Sequence, residues 1–195
     1  MILRFKISQT QIILFFCPDR DVLFVVITLI GQIKSSVGAT CCMPNTYTQI
    51  YLQIVFAVKG RQNLVPKQHR EEIHKYITGI VQARGHKMLS VFCMPNHVHL
   101  LAGIKPVMAI SDLVRDIKAG SSNFINSRKW IPTQFNWQEG YGAFSYSRSQ
   151  IDSVIKYILA QEEHHKKKSF HDEYLGLMKE FGIEYDEKYL FEWIE

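Results

Sequence analysis

A turn at Met94-Pro95-Asn96 joins two segments of strand character, Lys87 to Phe92 and His97 to Ile104. So short a link leaves an antiparallel hairpin as the only pairing, because parallel neighbours need a crossover of about a dozen residues or more. Side chains on a strand alternate between faces, so His97 and His99 share one side while Val98 and Leu100 take the other. Two imidazoles side by side on an apolar backing are half of a metal site. They also suit a hydrogen-bonded pair, and spacing alone leaves both readings open, since a protein-held ion normally needs a third ligand.

The neighbouring segments place this hairpin in a fold. Tyr47 to Val58 is rich in β-branched and aromatic residues and reads as a strand ending at Lys59-Gly60-Arg61. Pro66 to Arg84 carries Ile73, Ile77, Ile80 and Val81 at helical spacing, with proline near its start and Gly85 after its end. Ile110, Leu113, Val114, Ile117, Phe124 and Ile125 mark a second amphipathic helix. A fourth strand is expected within Phe135 to Ser147, interrupted at Gly140-Tyr141-Gly142. A third helix is expected from Ser149 to about Lys167, with Ile151, Val154, Ile155, Ile158 and Leu159 as its apolar side. The order is βαββαβ, which predicts an α+β, ferredoxin-like antiparallel sheet with helices on one face and the histidines on an open one, plus a C-terminal helix.

Charge divides the chain. Residues 43–170 hold 17 Lys and Arg against 8 Asp and Glu, whereas residues 171–195 hold 2 against 8. A basic body suits a polyanionic partner, and residues 171–195 read as an acidic tail packed on or following the 43–170 domain. Residues 1–42 differ in texture, being apolar, sparsely charged and without histidine. They are expected to be an N-terminal extension from an over-extended reading frame upstream of Met43, the alternative being an extra strand pair. Four cysteines show no CxxC or disulfide pattern, which fits a reducing, cytoplasmic setting. The apolar stretch from Gln11 to Ile30 is broken at Cys17-Pro18-Asp19-Arg20-Asp21, so neither a membrane anchor nor a cleavable signal is expected.

His69 and His74 fall on the polar side of the first helix and read as surface residues, and His86 as a loop residue. A metallohydrolase of the HxHxDH type needs Asp where Leu101 stands. A cupin-like pair needs a barrel that the helical content contradicts. On the third helix, Tyr157 and Gln161 are four residues apart and share a face. Gln161 brings a carbonyl oxygen suited to a hard cation, and Tyr157 a phenol able to attack a polarised target. The same spacing also describes a half-buried aromatic beside a surface amide.

Met94 to Leu101, then Phe135-Asn136-Trp137-Gln138-Glu139-Gly140-Tyr141-Gly142-Ala143-Phe144-Ser145, then Tyr157-Ile158-Leu159-Ala160-Gln161 and His164-His165, occur in an order that resembles the single-tyrosine HUH transposases of bacterial insertion sequences, including the REP-associated tyrosine transposases. The likeness runs from about Tyr47 to the C-terminus. It departs at Tyr146, a second tyrosine where the family usually has an aliphatic residue.

The resemblance implies a nucleoid-associated enzyme that cleaves and rejoins hairpin-containing single-stranded DNA through a 5′-phosphotyrosine. Tyr157 would be the nucleophile, and His97, His99 and Gln161 would hold Mg²⁺ or Mn²⁺. It implies a homodimer; in many relatives the tyrosine helix docks on the partner subunit, with Gly140 and Gly142 here as the candidate hinge, and action of Tyr157 in cis or in trans stays open. A relaxase or replication initiator of the same superfamily, and a domesticated DNA-binding protein without catalysis, are the alternatives. Arg115, Lys118, Arg128, Lys129, Arg148, Lys166, Lys167 and Lys168 are expected phosphate contacts, while Trp130, Phe135, Trp137 and Tyr141 are aromatics available for stacking on bases or for the core.

Overall fold

The computed structural model describes residues 47–60 and 63–186 with their side chains, the backbone of Arg61, and the backbone of three strands within residues 1–46. Those strands, β1 (Ile2–Ile7), β2 (Thr10–Cys17) and β3 (Val22–Leu29), pair antiparallel in chain order. Residues 1–46 and 47–195 are separate units. Whether residues 1–42 come from an over-extended reading frame lies outside the described residues.

The second unit holds β4 (Ile50–Ala57), α1 (Arg70–Ala83), β5 (Lys87–Cys93), β6 (His97–Ile104), α2 (Ile110–Arg128), β7 (Gly142–Tyr146), α3 (Ile151–Leu159), α4 (Gln161–His164) and α5 (Phe170–Glu180). Its sheet is antiparallel throughout, in the order β5-β6-β4-β7. This is the ferredoxin-like α+β arrangement. The β5–β6 hairpin closes through Met94 N–H to His97 O at 2.8 Å, and Val58 N–H reaches Asn96 O at 2.8 Å, tying the turn to the end of β4.

Period-two alternation sorts each central strand between two cores. Leu52, Ile54, Phe56, Val98, Leu100, Ala102 and Ile104 face α1 and α2, where Ile73, Ile77, Val81, Leu113, Val114, Ile117 and Ile125 meet them. The two helices approach so closely that a Cβ on Gly120 would lie 2.7 Å from Ile80 Cδ1. On the reverse face Leu101 packs with Ile151, Val154 and Ile158 of α3. Val55 and Ala57 pack with Phe170, Tyr174 and Leu177 of α5.

The reverse face is therefore covered, not open. The expected third helix also ends early: at Ala160 the backbone leaves helical geometry (φ −90°, ψ 13°), so α3 and α4 are distinct, and Leu159 is exposed. The acidic segment 171–195, expected to pack on or follow the domain, begins inside a packed helix, α5, which runs to Glu180 and is started by Ser169, whose Oγ accepts the Asp172 N–H.

His74 and His86 are not idle polar residues. His74 Nε2 accepts the Cys93 N–H at 2.9 Å, and buried His86 Nδ1 accepts the Lys105 N–H at 3.1 Å. Burial, reinforced by Arg70, pushes the His74 pKa down to about 4. His74→Ala is expected to cost about 1–3 kcal/mol, because the Cys93 amide loses its acceptor. An imidazole held neutral in the fold is protonated first in the unfolded chain. Its contribution is therefore present above pH 6.5 and lost as pH falls toward about 4. Urea midpoints at pH 7 and pH 5 check both effects, and the variant's midpoint should change less between them.

Candidate functional site

β6 presents His97 and His99 to the reverse face, 1% and 0% exposed. Three short-range anchors orient three imidazoles. His97 Nδ1 lies 2.6 Å from Asn96 Oδ1, His99 Nδ1 lies 3.0 Å from the Gln53 side-chain amide, and His165 Nδ1 lies 3.0 Å from Lys168 O. Each anchor leaves the ring's Nε2 turned toward Glu173, the one acidic residue buried here. Glu173 Oε2 lies 3.1 Å from His165 Nε2, 3.4 Å from His99 Nε2 and 4.0 Å from His97 Nε2.

The other oxygen of Glu173, Oε1, accepts the Tyr157 hydroxyl, and it accepts the Gln161 amide at 2.8 Å. Tyr157 and Gln161 thus work from one face of the chain despite the break at Ala160. His164 closes the group, with Nε2 3.8 Å from Glu173 Oε1 and its ring beside that of Tyr157.

The electrostatics follow from burial and this single carboxylate. Burial would raise Glu173, but the facing imidazoles of His165 and His99 outweigh it and hold the carboxyl far below its usual range. Burial, then the charge of His99, keeps His97 well below the usual histidine range. Burial and the Glu173 charge push the Tyr157 phenol upward.

Tyr146 lines the same cavity of about 400 Å³ as Tyr157, together with Gln150, Ser153, His164, Lys168 and Glu173. Its phenol is pushed up to about 12, chiefly by burial, and its ring packs against Phe181.

His97, His99, His165 and Glu173 form a group able to hold a metal ion, the donor atoms all lying within 4.8 Å of one another. Two of those atoms, His99 Nε2 and Glu173 Oε2, are buried without a hydrogen-bond partner, as is Gln161 Oε1. Unpartnered buried oxygens such as Glu173 Oε2 and Gln161 Oε1 are what a bound cation satisfies.

The expected DNA contacts divide. Arg148, Lys129, Lys166 and Lys167 are exposed, although Lys166 also pairs with Glu163 at 2.6 Å. Arg115 is held by Asp112 and Asp116, and Arg128 lies over the Phe124 ring. Lys118 turns inward, donating to the carbonyls of Gln138 and Gly140, and burial lowers its pKa to about 8. The Lys168 Nζ lies against Gly176, 2.9 Å from where a Cβ would be. Phe135 and Trp137 are core residues, Trp137 donating to Ser121 Oγ at 2.8 Å. Trp130 is half-buried and stacked on His69.

Sequence reasoning missed Gln53, Glu173 and His165 as parts of this group. Gln53 was visible as the one amide in an otherwise apolar strand, and Glu173 as a charge inside a helix whose Phe170, Tyr174 and Leu177 recur at helical spacing.

The family model for IS200-like transposases matches residues 46–161, more than half of the chain. The chain belongs to this transposase family. A curated relative, the ISDra2 transposase TnpA of Deinococcus radiodurans, is 23% identical over 122 residues, covering 59% of this chain and 86% of the relative. A crystal structure of a transposase from Deinococcus radiodurans R1 superposes with a TM-score of 0.50 at 21% identity, covering 62% of this chain and 96% of that one. A REP-associated tyrosine transposase bound to a REP hairpin gives a TM-score of 0.48 at 15% identity, covering 78% and 90%. Among the described residues of this transposase, no helix is long and apolar enough to cross a membrane.

Proposed function

We propose that this transposase cleaves and rejoins hairpin-containing single-stranded DNA, with Tyr157 as nucleophile and His97, His99 and Gln161 holding a Mg²⁺ or Mn²⁺ ion, in the bacterial cytoplasm at the nucleoid. The observation that carries the reading is the convergence of the Tyr157 hydroxyl, the two HUH histidines and the Gln161 amide on one buried carboxylate.

The ion, when bound, withdraws charge from the scissile phosphate and offsets the negative charge that develops on attack. The chain does the positioning. Asn96 and Gln53 fix the histidine rings so that Nε2 faces the site. Glu173 holds the Tyr157 phenol by its hydroxyl, which sets the oxygen from which attack on phosphorus starts. The attack joins the tyrosine oxygen to phosphorus as the bond from phosphorus to the 3′-oxygen breaks, and the phenol proton, directed at Glu173 Oε1 in the resting site, ends on that oxygen to give the released 3′-OH. The phosphotyrosine conserves the energy of the diester, so a second 3′-OH can reverse the step and join new ends without a nucleotide cofactor. Helix α3 packs on the sheet of its own chain through Leu101. The cavity beside Tyr157 has room for the nucleotide flanking the phosphate.

Incubating a labelled hairpin oligonucleotide with the protein and Mn²⁺ tests the reading: a covalent adduct is expected, and its absence across a range of hairpins contradicts it. Exposed Arg148, Lys166 and Lys167 are proposed to contact phosphates. Replacing all three with alanine should shrink the slope of log affinity against log salt by about 2, at about 0.7 per lost single-strand phosphate contact. A slope equal to the parent's would remove them from the interface.

A further inference from the structure

Building on His97 and His99 as ion ligands, we propose that His165 and Glu173 are ligands of the same ion, which bolts helix α5 to the sheet and selects Mn²⁺, Co²⁺ or Zn²⁺ over Mg²⁺. Both residues lie beyond the span 46–161 shared with the family model.

Three observations carry this. The first is spacing. Bonds of about 2.0–2.2 Å put neighbouring ligand atoms about 3.0 Å apart in an octahedron and about 3.4 Å apart in a tetrahedron. The separations here are 3.1 Å (His165 to Glu173), 3.1 Å (His165 to His97) and 3.4 Å (His99 to Glu173), with His97 to Glu173 longer at 4.0 Å.

The second is proton accounting. Lys168 O can only accept, so the proton of a neutral His165 sits on Nδ1 and its Nε2 carries a lone pair. That lone pair faces Glu173 Oε2 and His97 Nε2, whose own ring is anchored through Nδ1 on Asn96. Acceptors turned on one another at about 3 Å need a positive centre between them; a divalent cation supplies it for His97, His165 and Glu173, and for His99 once the Gln53 carbonyl, itself buried and unpartnered, takes the Nδ1 proton.

The third is the division of the carboxylate. Tyr157 and Gln161 both occupy Oε1, leaving Oε2 buried and without a partner. Gln161 therefore also positions Glu173 for the ion. Three imidazoles and a carboxylate suit borderline transition ions, whereas Mg²⁺ prefers oxygen ligands in a near-ideal octahedron.

The test is Mn²⁺ titration of the full chain, reading free Mn²⁺ by its paramagnetic resonance signal, with hydrogen exchange of the α5 amides measured in parallel. One ion per chain is expected, resisting displacement by a hundredfold excess of Mg²⁺. Glu173→Ala and His165→Ala should weaken binding at least about tenfold. Bound Mn²⁺ should slow α5 exchange in the parent and not in either variant. Parental affinity in both variants, with binding lost in His97→Ala, would overturn this ligand set while leaving His97 as a ligand. Failure of the parent to bind Mn²⁺ would overturn the metal reading itself. Should Glu173→Ala fail to fold, Glu173→Gln decides: it keeps the shape and neighbours of Glu173 but lacks the charge, and parental affinity in it would contradict the proposal.

Discussion

Replacing Tyr157 with phenylalanine should eliminate the covalent DNA adduct, a loss of about 10⁴-fold or more, while hairpin binding stays within about threefold of the parent. Deletion of a covalent nucleophile produces effects of that size, because bond formation to phosphorus is lost with it. The substitution removes one oxygen and leaves a ring that packs beside His99 and His164. The hydrogen bond to Glu173 is lost from the folded chain. Tyr146→Phe is the matched control. That phenol lines the same cavity and packs against Phe181, and its loss should leave adduct formation within a fewfold of the parent.

The second large effect is expected from His97→Ala. Its Nε2 belongs to the ion group, and its ring stacks on Phe170 of α5 at 4.0 Å between centroids. Cleavage should fall about 100-fold or more, with a higher Mn²⁺ requirement, since one ligand is gone and the lining at the α5 junction is cut back. The truncation also leaves a cavity, so a lower melting temperature is expected. Hairpin binding at parental strength would show that the loss lies in chemistry and not in folding. EDTA should suppress cleavage by the parent, and cleavage undiminished by EDTA would contradict the metal assignment.

The hairpin and the βαββαβ order were readable because turn chemistry and periodicity are local. Met94-Pro95-Asn96 enforces antiparallel pairing, and alternation from His97 onward assigns every residue of β6 to a face. The contents of the reverse face were not readable in this way. Whether α3 to α5 cover it depends on contacts between distant segments, such as Leu101 with Ile158 and Val55 with Phe170. Counting charge over residues 171–195 concealed α5, because Glu173 was summed with exposed acids although it is 2% exposed. The stripe of Phe170, Tyr174 and Leu177 was the stronger signal. Lys118 shows the converse: a cation on a basic helix whose ammonium turns inward to two backbone carbonyls.

The central claim is that Tyr157 is the atom source for strand cleavage, and the most direct measurement is peptide mapping of the protein–DNA adduct by mass spectrometry after nuclease trimming. The predicted result is a nucleotide phosphate on the peptide containing Tyr157, formed only when Mn²⁺ or Mg²⁺ is present. A nucleotide on Tyr146 or on any serine, or hairpin cleavage that leaves no covalently marked peptide, would contradict it.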